Sequence, residues 1–209
     1  MQRTMPLSQL GIAICLSVWL CTPLTAPVTA QERVRAKVGI QVRSGEQSAP
    51  AKATETVKVG DFLRVYVVPE DDAYVYVVHT NGHTPTLLNA PQAHTKVPKG
   101  SLVTSPGPEK FYQIDGTSTK ESITVICSPT ALRAVTTLFD TPNVPQKNWT
   151  SVEKELIEKS KIDLSQKTDK PFQIVGNVRS LTHNTFIDTM PIFSGKALVV
   201  KKYDFQVQK

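Results

Sequence analysis

Three of the four histidines lie close together in the sequence, at His79, His83 and His94. An acidic run at 70–72 precedes them, so the loop region 79–100 is a candidate metal-dependent or small-ligand site. The spacing argues against it, because His79 ends a predicted strand and an Asn-Gly turn separates it from His83. No Cys-x-x-Cys or His-Glu-x-x-His run accompanies the three residues. We therefore expect no metal ion and no cofactor, and interpret these histidines as turn residues.

The acidic run 70–72 and Cys127 also invite a chemical interpretation. A calcium loop needs the spacing Asp-x-Asp-x-Asp-Gly, which the run lacks, so its expected role is to cap a turn. A nucleophilic thiol needs exposed and basic surroundings, whereas strand alternation puts Cys127 on one face with Ile123 and Val125. We interpret Cys127 as a small core residue. Because no nucleophile elbow, phosphate loop or paired-acid motif occurs either, we predict that the chain is not an enzyme.

Three tyrosines, Tyr74, Tyr76 and Tyr112, could serve as stacking platforms for a glycan or another small ligand. Strand alternation places at least some of these rings in the core, where they would stabilise the fold instead. The main interpretation is a protein without a small-molecule site. The alternative is a small-ligand or glycan-binding site in the loop region 79–100.

Basic residues alternate with apolar ones along both long predicted strands. If these strands are neighbours, five basic side chains form a possible interaction face: Arg35, Lys37, Arg43, Lys201 and Lys202. Such a face would attract anionic lipid, polysaccharide or an acidic protein. The simpler interpretation is an ordinary solvated face, since charged strands also discourage aggregation.

Short segments rich in β-branched and aromatic residues, separated by turn residues, run through most of the chain. The predicted strands are 33–43, 62–68, 74–79, 86–88, 111–114, 122–127, 172–178 and 197–207. A proline-containing turn joins 62–68 to 74–79, which predicts a hairpin over 62–79. The two long alternating strands, 33–43 and 197–207, are interpreted as neighbours that close the sheet.

Two short helices are expected late in the chain. Ser128 followed by Pro129 predicts a helix start, with serine as the cap and proline in the first turn. A surface helix is expected within 148–165, where Thr150 and Glu153 match a capping box. The predicted fold class is therefore mainly β, an antiparallel β-sandwich or barrel-like domain with one or two short peripheral helices.

Residues 1–30 match a cleaved signal peptide: one basic residue, an apolar run at 10–20, and small residues before Gln31. The apolar run is too short for the roughly 20 residues of a membrane span. Leu20 before Cys21 disfavours lipid attachment. We expect cleavage between Ala30 and Gln31 and a periplasmic or secreted protein. The remaining 31–209 would be a single β-rich domain with one cysteine, hence no internal disulfide, and C-terminal strands in 171–209.

A series of segments within 57–128 carries a family resemblance: VKVGDFLRVYVV, YVYVVHTNGHTPTLL, KVPKGSLV, FYQIDG and ESITVICSP. The series resembles the bacterial family called domain of unknown function 4384, with weaker support at 33–43. The matching positions are Gly60, Asp61, Tyr74, Tyr76, Leu87, Leu88, Pro98, Gly100, Glu121 and Ser128. The resemblance implies an all-β module that is exported alone or attached to peptidase or kinase domains. It transfers no catalytic residue.

Together these features predict an exported, non-catalytic β-domain that acts as an interaction module. Its expected partner is another envelope protein or an anionic envelope surface. Nucleic acid is not expected, despite a net charge of +6, because an exported chain would not meet it. No transmembrane span is expected in the mature chain.

Overall fold

The fold is built from eleven strands and three helices in the part of the chain that the computed structural model describes, residues 33–162 and 185–209. The strands are β1 (Val34–Ser44), β2 (Gln47–Pro50), β3 (Thr54–Lys58), β4 (Phe62–Pro69), β5 (Tyr74–Thr80), β6 (Pro85–Leu87), β7 (Val103–Ser105), β8 (Tyr112–Gln113), β9 (Lys120–Ser128), β10 (Ile192–Gly195) and β11 (Val199–Gln208). The helices are α1 (Arg133–Phe139), α2 (Gln146–Ser160) and α3 (Thr185–Thr189). The predicted signal peptide and the predicted strand 172–178 lie outside the described residues.

The strands form two sheets. The six-stranded sheet has the order β10-β1-β4-β7, with β2 also beside β1 and β8 beside β4, and all its pairs are antiparallel. The five-stranded sheet has the order β3-β11-β9-β5-β6, where only β3 and β11 are parallel. The predicted mainly β fold is confirmed in its sandwich form, with few helices.

The main core lies between the two sheets. Alternate residues of β1 and β4, such as Val38 and Val65, are buried against residues of β5, β9 and β11, such as Val77 and Phe205. A second apolar cluster lies on the other side of the five-stranded sheet, under α1 and α2, and Trp149 is its largest member. The five-stranded sheet is therefore covered on both faces.

The predicted hairpin over 62–79 is wrong. β4 pairs with β1, β7 and β8, whereas β5 pairs with β6 and β9, so the turn between them crosses from one sheet to the other. The burial of the two strands explains the difference. β4 alternates between buried and half-buried residues, but β5 is buried on both faces after Tyr74. A strand without alternation needs cover on both sides, which only the five-stranded sheet provides.

The prediction that the two long strands, β1 and β11, are neighbours is also wrong. β1 lies in the six-stranded sheet and β11 in the five-stranded sheet. They face each other across the core, where the Tyr203 hydroxyl donates a hydrogen bond to the Val38 carbonyl oxygen at 3.4 Å. Alternation predicted both strands correctly but contains no information about which strands pair.

Both predicted helix starts are also wrong. α2 begins at Gln146, and Thr150 lies inside it, where its hydroxyl donates to the Gln146 carbonyl oxygen at 3.0 Å. Glu153 is buried instead of capping the helix. α1 begins only at Arg133, because the Ser128 hydroxyl forms a local turn with Thr130. Side chains that can cap a helix also bond to nearby backbone in other ways.

The helices that the structure describes are short. None of them is long and apolar enough to cross a membrane.

Candidate functional site

The outer face of the six-stranded sheet carries the basic residues predicted on β1. Because Ala36, Val38 and Ile40 point into the core, the alternate residues of β1 point outward. These are Arg35, Lys37, Gly39, Gln41 and Arg43. The register places the outward residues of β4 beside them, with Phe62 opposite Arg43, and Arg64 opposite Gln41. We call this surface the outer basic face.

Two arginines of this face pack on aromatic rings. The guanidinium carbon of Arg43 lies 4.1 Å from the centroid of the Phe111 ring and 4.7 Å from that of Phe62. The guanidinium carbon of Arg64 lies 3.8 Å from the same Phe111 centroid. The two phenylalanine rings meet edge to face at 6.2 Å. We call these four residues the arginine–phenylalanine cluster. Contacts of this kind hold long cationic side chains in place.

Most basic side chains of the outer basic face have no carboxylate beside them among the described residues. Arg35 forms an ion pair with Glu70, at 3.1 Å between Nε and Oε2. Within residues 33–162 and 185–209, no carboxylate lies within ion-pair distance of Lys37, Arg43 or Arg64. The Arg64 Nε donates to the Lys110 carbonyl oxygen at 2.9 Å, while its Nη2 is buried and has no hydrogen-bond partner in the described part of the chain.

The short helix α3 and Met190, the residue that follows it, cover the middle of the outer basic face. A Cβ atom added to Gly39 would lie 2.8 Å from two side-chain atoms of Met190 and 3.2 Å from the Phe186 ring. The Phe186 ring also packs on Tyr66, at 5.0 Å between centroids. Glycine at position 39 thus permits the close approach. Along β1, α3 separates the arginine–phenylalanine cluster at one end of the face from Lys37 at the other.

Lys201 and Lys202 do not belong to this face, so the five predicted residues are not brought together. They are consecutive on β11 and point to opposite sides of the five-stranded sheet. Lys202 Nζ pairs with Glu153 Oε2 of α2 at 3.0 Å. Lys201 Nζ lies near two rings, 4.9 Å from the centroid of Phe193 and 5.4 Å from that of Tyr203.

Arg64 is the residue of this face that sequence reasoning missed. It alternates with buried Leu63 and Val65 in the segment LRVYV, so its outward direction was readable from the sequence. Its position beside β1 could not be read from the sequence, because the sequence pattern pairs β4 with β5 in a hairpin. Only the pairing of β1 with β4 places Arg64 and Arg43 together.

The three histidines occupy different environments. His79 is buried, its Nε2 lies 3.1 Å from Glu121 Oε2, and its ring packs on Tyr112 at 4.4 Å between centroids. His83 and His94 are exposed. Among the described residues, no group of three or more His, Cys, Asp or Glu side chains is placed to hold a metal ion. His79 is therefore a core residue with a polar partner and not the turn residue that was expected.

The side chains of the acidic run are occupied by neighbours. Asp72 accepts a hydrogen bond from the Lys99 backbone amide at 2.9 Å, and Asp71 contacts the Lys99 ammonium at 3.5 Å. Glu70 pairs with Arg35. The run thus ties the loop before Gly100 to the end of β4. Its carboxylates bond to residues distant in the sequence, so the expectation that they cap the local turn is wrong.

The tyrosines that could stack on a ligand contribute to packing. Tyr76 is fully buried, and its hydroxyl oxygen accepts a hydrogen bond from the Leu132 backbone amide at 2.8 Å. Burial raises the pKa of this phenol. Tyr112 is half-buried, and burial together with the Glu121 carboxylate raises its pKa well above the ordinary value. Tyr74 is half-buried at the edge of the second apolar cluster.

Cys127 lies on the inner face of β9 with Ile123 and Val125, as predicted. Burial raises the pKa of the thiol to about 12. The protonated form therefore dominates at neutral pH, and a thiol in this state is a poor nucleophile.

No protein-family model matches the chain, and neither a curated protein nor a solved structure was found to be similar to it. The resemblance of 57–128 to domain of unknown function 4384 therefore stays a prediction. What can be said of function depends on the geometry of the outer basic face.

Proposed function

We propose that this protein is an exported, non-catalytic interaction module that binds an acidic envelope protein through the outer basic face. Export, and with it a periplasmic or secreted location, is inferred from the signal-peptide pattern of residues 1–30. The family resemblance supports the same proposal, since it implies a bacterial β-module without catalytic residues.

The observation that carries the proposal is positive charge without local neutralisation. Lys37, Arg43 and Arg64 lie on one sheet face, and none contacts a carboxylate among the residues that the structure describes. Such a face attracts acidic surfaces and accelerates encounter with them. Arginine held on an aromatic ring is also a side chain typical of the energetic centres of protein interfaces. The simpler solvated-face interpretation does not require this ordered packing.

The first test is reversal of charge. The full chain in which Arg35, Lys37 and Arg43 are replaced by Glu is used to capture partners from the native envelope. The matched control replaces three exposed lysines elsewhere, Lys96, Lys120 and Lys147, by Glu. We expect the face variant to lose its acidic partner, with affinity reduced at least about tenfold, because the three introduced glutamates would repel the acidic groups of the partner.

The control variant should keep the partner, since it has the same net charge as the face variant but an intact outer basic face. Equal retention of the partner by the face variant and the wild type would reject the proposal. An anionic membrane is the competing occupant. If the wild type instead floats with vesicles containing anionic lipid, and captures no acidic protein, the proposal is also rejected.

A further inference from the structure

We propose that Arg43 and Arg64 form a two-point site for carboxylates, which takes an extended acidic peptide segment with Glu or Asp at alternate positions. This inference rests on the proposed function, because it names the chemistry that the outer basic face recognises. It goes beyond net charge, since it depends on the geometry of two guanidinium groups around one ring.

First, the guanidinium groups of Arg43 and Arg64 lie close together. Both guanidinium carbons contact the Phe111 ring, so their separation cannot exceed the sum of 4.1 Å and 3.8 Å. Two like charges at such a distance repel each other, and no carboxylate among the described residues neutralises either one. Contacts with the rings of Phe62 and Phe111 offset part of this repulsion. An anionic ligand would remove the rest.

The second step is the order of the site before a ligand binds. Arg64 is fixed at Nε by the Lys110 carbonyl oxygen, and Arg43 is fixed by contact with two rings. Stacking occupies the faces of a guanidinium group and leaves the edges of Arg43 able to donate hydrogen bonds, whereas Arg64 keeps only Nη1 for a ligand. Because the side chains are already ordered, binding loses less conformational entropy than it would with free arginines.

The third step is the spacing of the ligand. Residues i and i+2 of an extended peptide lie about 7 Å apart on the same side, because each residue advances about 3.3 Å. That spacing falls within the limit set by the Phe111 contacts. One carboxylate could then pair with Arg43 in the bidentate geometry that arginine favours. The second would accept a single hydrogen bond from Nη1 of Arg64, because the Nε of Arg64 is taken by Lys110 and its Nη2 is buried. Adjacent acidic residues in a strand point to opposite sides and could not engage both.

The test compares two labelled peptides of identical composition, one with glutamates at alternate positions and one with the two glutamates adjacent. Fluorescence anisotropy with the full wild-type chain should show several-fold tighter binding of the alternate peptide. In the variant with Arg43→Lys and Arg64→Lys this preference should disappear, because lysine keeps the charge but has no bidentate fork. Thermal unfolding of the variant checks that the fold is retained.

Equal binding of the two peptides to the wild type, or an unchanged preference in the lysine variant, would overturn the two-point site. Binding to anionic vesicles with no binding of either peptide would overturn it as well. These results are distinguishable from failure of the proposed function, which is measured by the charge-reversal variant. A partner that is lost on charge reversal but insensitive to the lysine changes leaves the interaction module intact and removes only the two-point site.

Discussion

Cys127 lies opposite Val199 of β11 and Val75 of β5 in the centre of the five-stranded sheet. Burial in this apolar setting disfavours the thiolate, which is why the pKa of the thiol is raised from its ordinary value of 9.0 to about 12. The folded state then holds its proton at a pH where the unfolded state has lost it. The raised pKa therefore contributes stability that is complete below the pKa of the unfolded state. This contribution is lost as the pH rises towards the pKa of the folded state.

The first prediction concerns this thiol. The stability of the wild type should fall between pH 9 and pH 12, with a slope from Cys127 of up to about 1.4 kcal/mol per pH unit. Tyr203, whose pKa is raised to about 12, adds to the loss at the upper end of this range. Urea unfolding at several pH values should show a weaker alkaline loss in Cys127→Ala. The same pH dependence in both proteins would contradict the assignment.

The second prediction concerns Gly195, at the end of β10. A Cβ atom there would lie 1.8 Å from the Leu198 carbonyl oxygen, which belongs to the backbone and cannot turn away. Gly195→Ala should therefore destabilise the fold by more than about 2 kcal/mol, measured by urea unfolding. Ser194→Ala, at the exposed neighbouring position, is the control and should change stability by less than about 0.5 kcal/mol. Similar effects of the two substitutions would show that the turn can open.

At the scale of elements, α2 is attached to the five-stranded sheet by a buried carboxylate. Glu153 accepts a hydrogen bond from the Thr124 hydroxyl and pairs with Lys202. Trp149 and Leu156 bury the apolar part of the same helix face. The capping-box motif that suggested a helix start here is thus explained by a contact with the sheet.

The third prediction follows from this attachment. Glu153→Ala should cost about 2 kcal/mol, because it leaves Lys202 and Thr124 without their partner. Adding Lys202→Met to Glu153→Ala should recover part of that loss, since no unpaired charge remains. Unfolding of the single and double variants in urea gives the coupling energy. If the effects of Glu153→Ala and Lys202→Met simply add, the ion pair does not hold the helix.

The elements also show how far the sequence could be interpreted. Alternation located β1 and β11 because one face of a strand repeats every second residue, and β-branched and aromatic residues located β4 and β9. Pairing depends on contacts between distant residues, so the hairpin and the neighbouring long strands were both wrongly inferred. The same limit applies to the candidate site. Arg35, Lys37 and Arg43 were predicted on one face, but their separation from Lys202 and their proximity to Arg64 follow only from the two-sheet arrangement.

At the scale of the molecule, the distribution of charge matters more than its total. The chain has a net charge of +6. Lys202 is paired with Glu153 on one sheet, whereas Lys37, Arg43 and Arg64 on the other lack a carboxylate among the described residues. The two sheets therefore differ in what they offer to a partner. One is covered by helices α1 and α2, and the other exposes an ordered basic surface beside the short helix α3.

The fourth prediction is a salt dependence. The affinity of the wild type for its captured acidic partner should fall at least about tenfold when salt rises from about 0.05 M to about 0.5 M, mainly through slower association. Surface plasmon resonance measures both rates. The control variant with Lys96, Lys120 and Lys147 changed to Glu should show nearly the same dependence. An affinity independent of salt would indicate that apolar contacts, and not the outer basic face, dominate binding.

Docking on the outer basic face is tested most simply by finding which sheet the partner contacts. A photo-crosslinking residue is placed at Ser48, which lies beside Arg43 in the register of β1 and β2, or at Gln206, which is exposed on β11. The full chain is then irradiated in its native envelope. A partner that docks on the outer basic face gives an adduct with an acidic protein from position 48 and none from position 206. An adduct from position 206 alone, or equally from both, would show that the partner does not dock there.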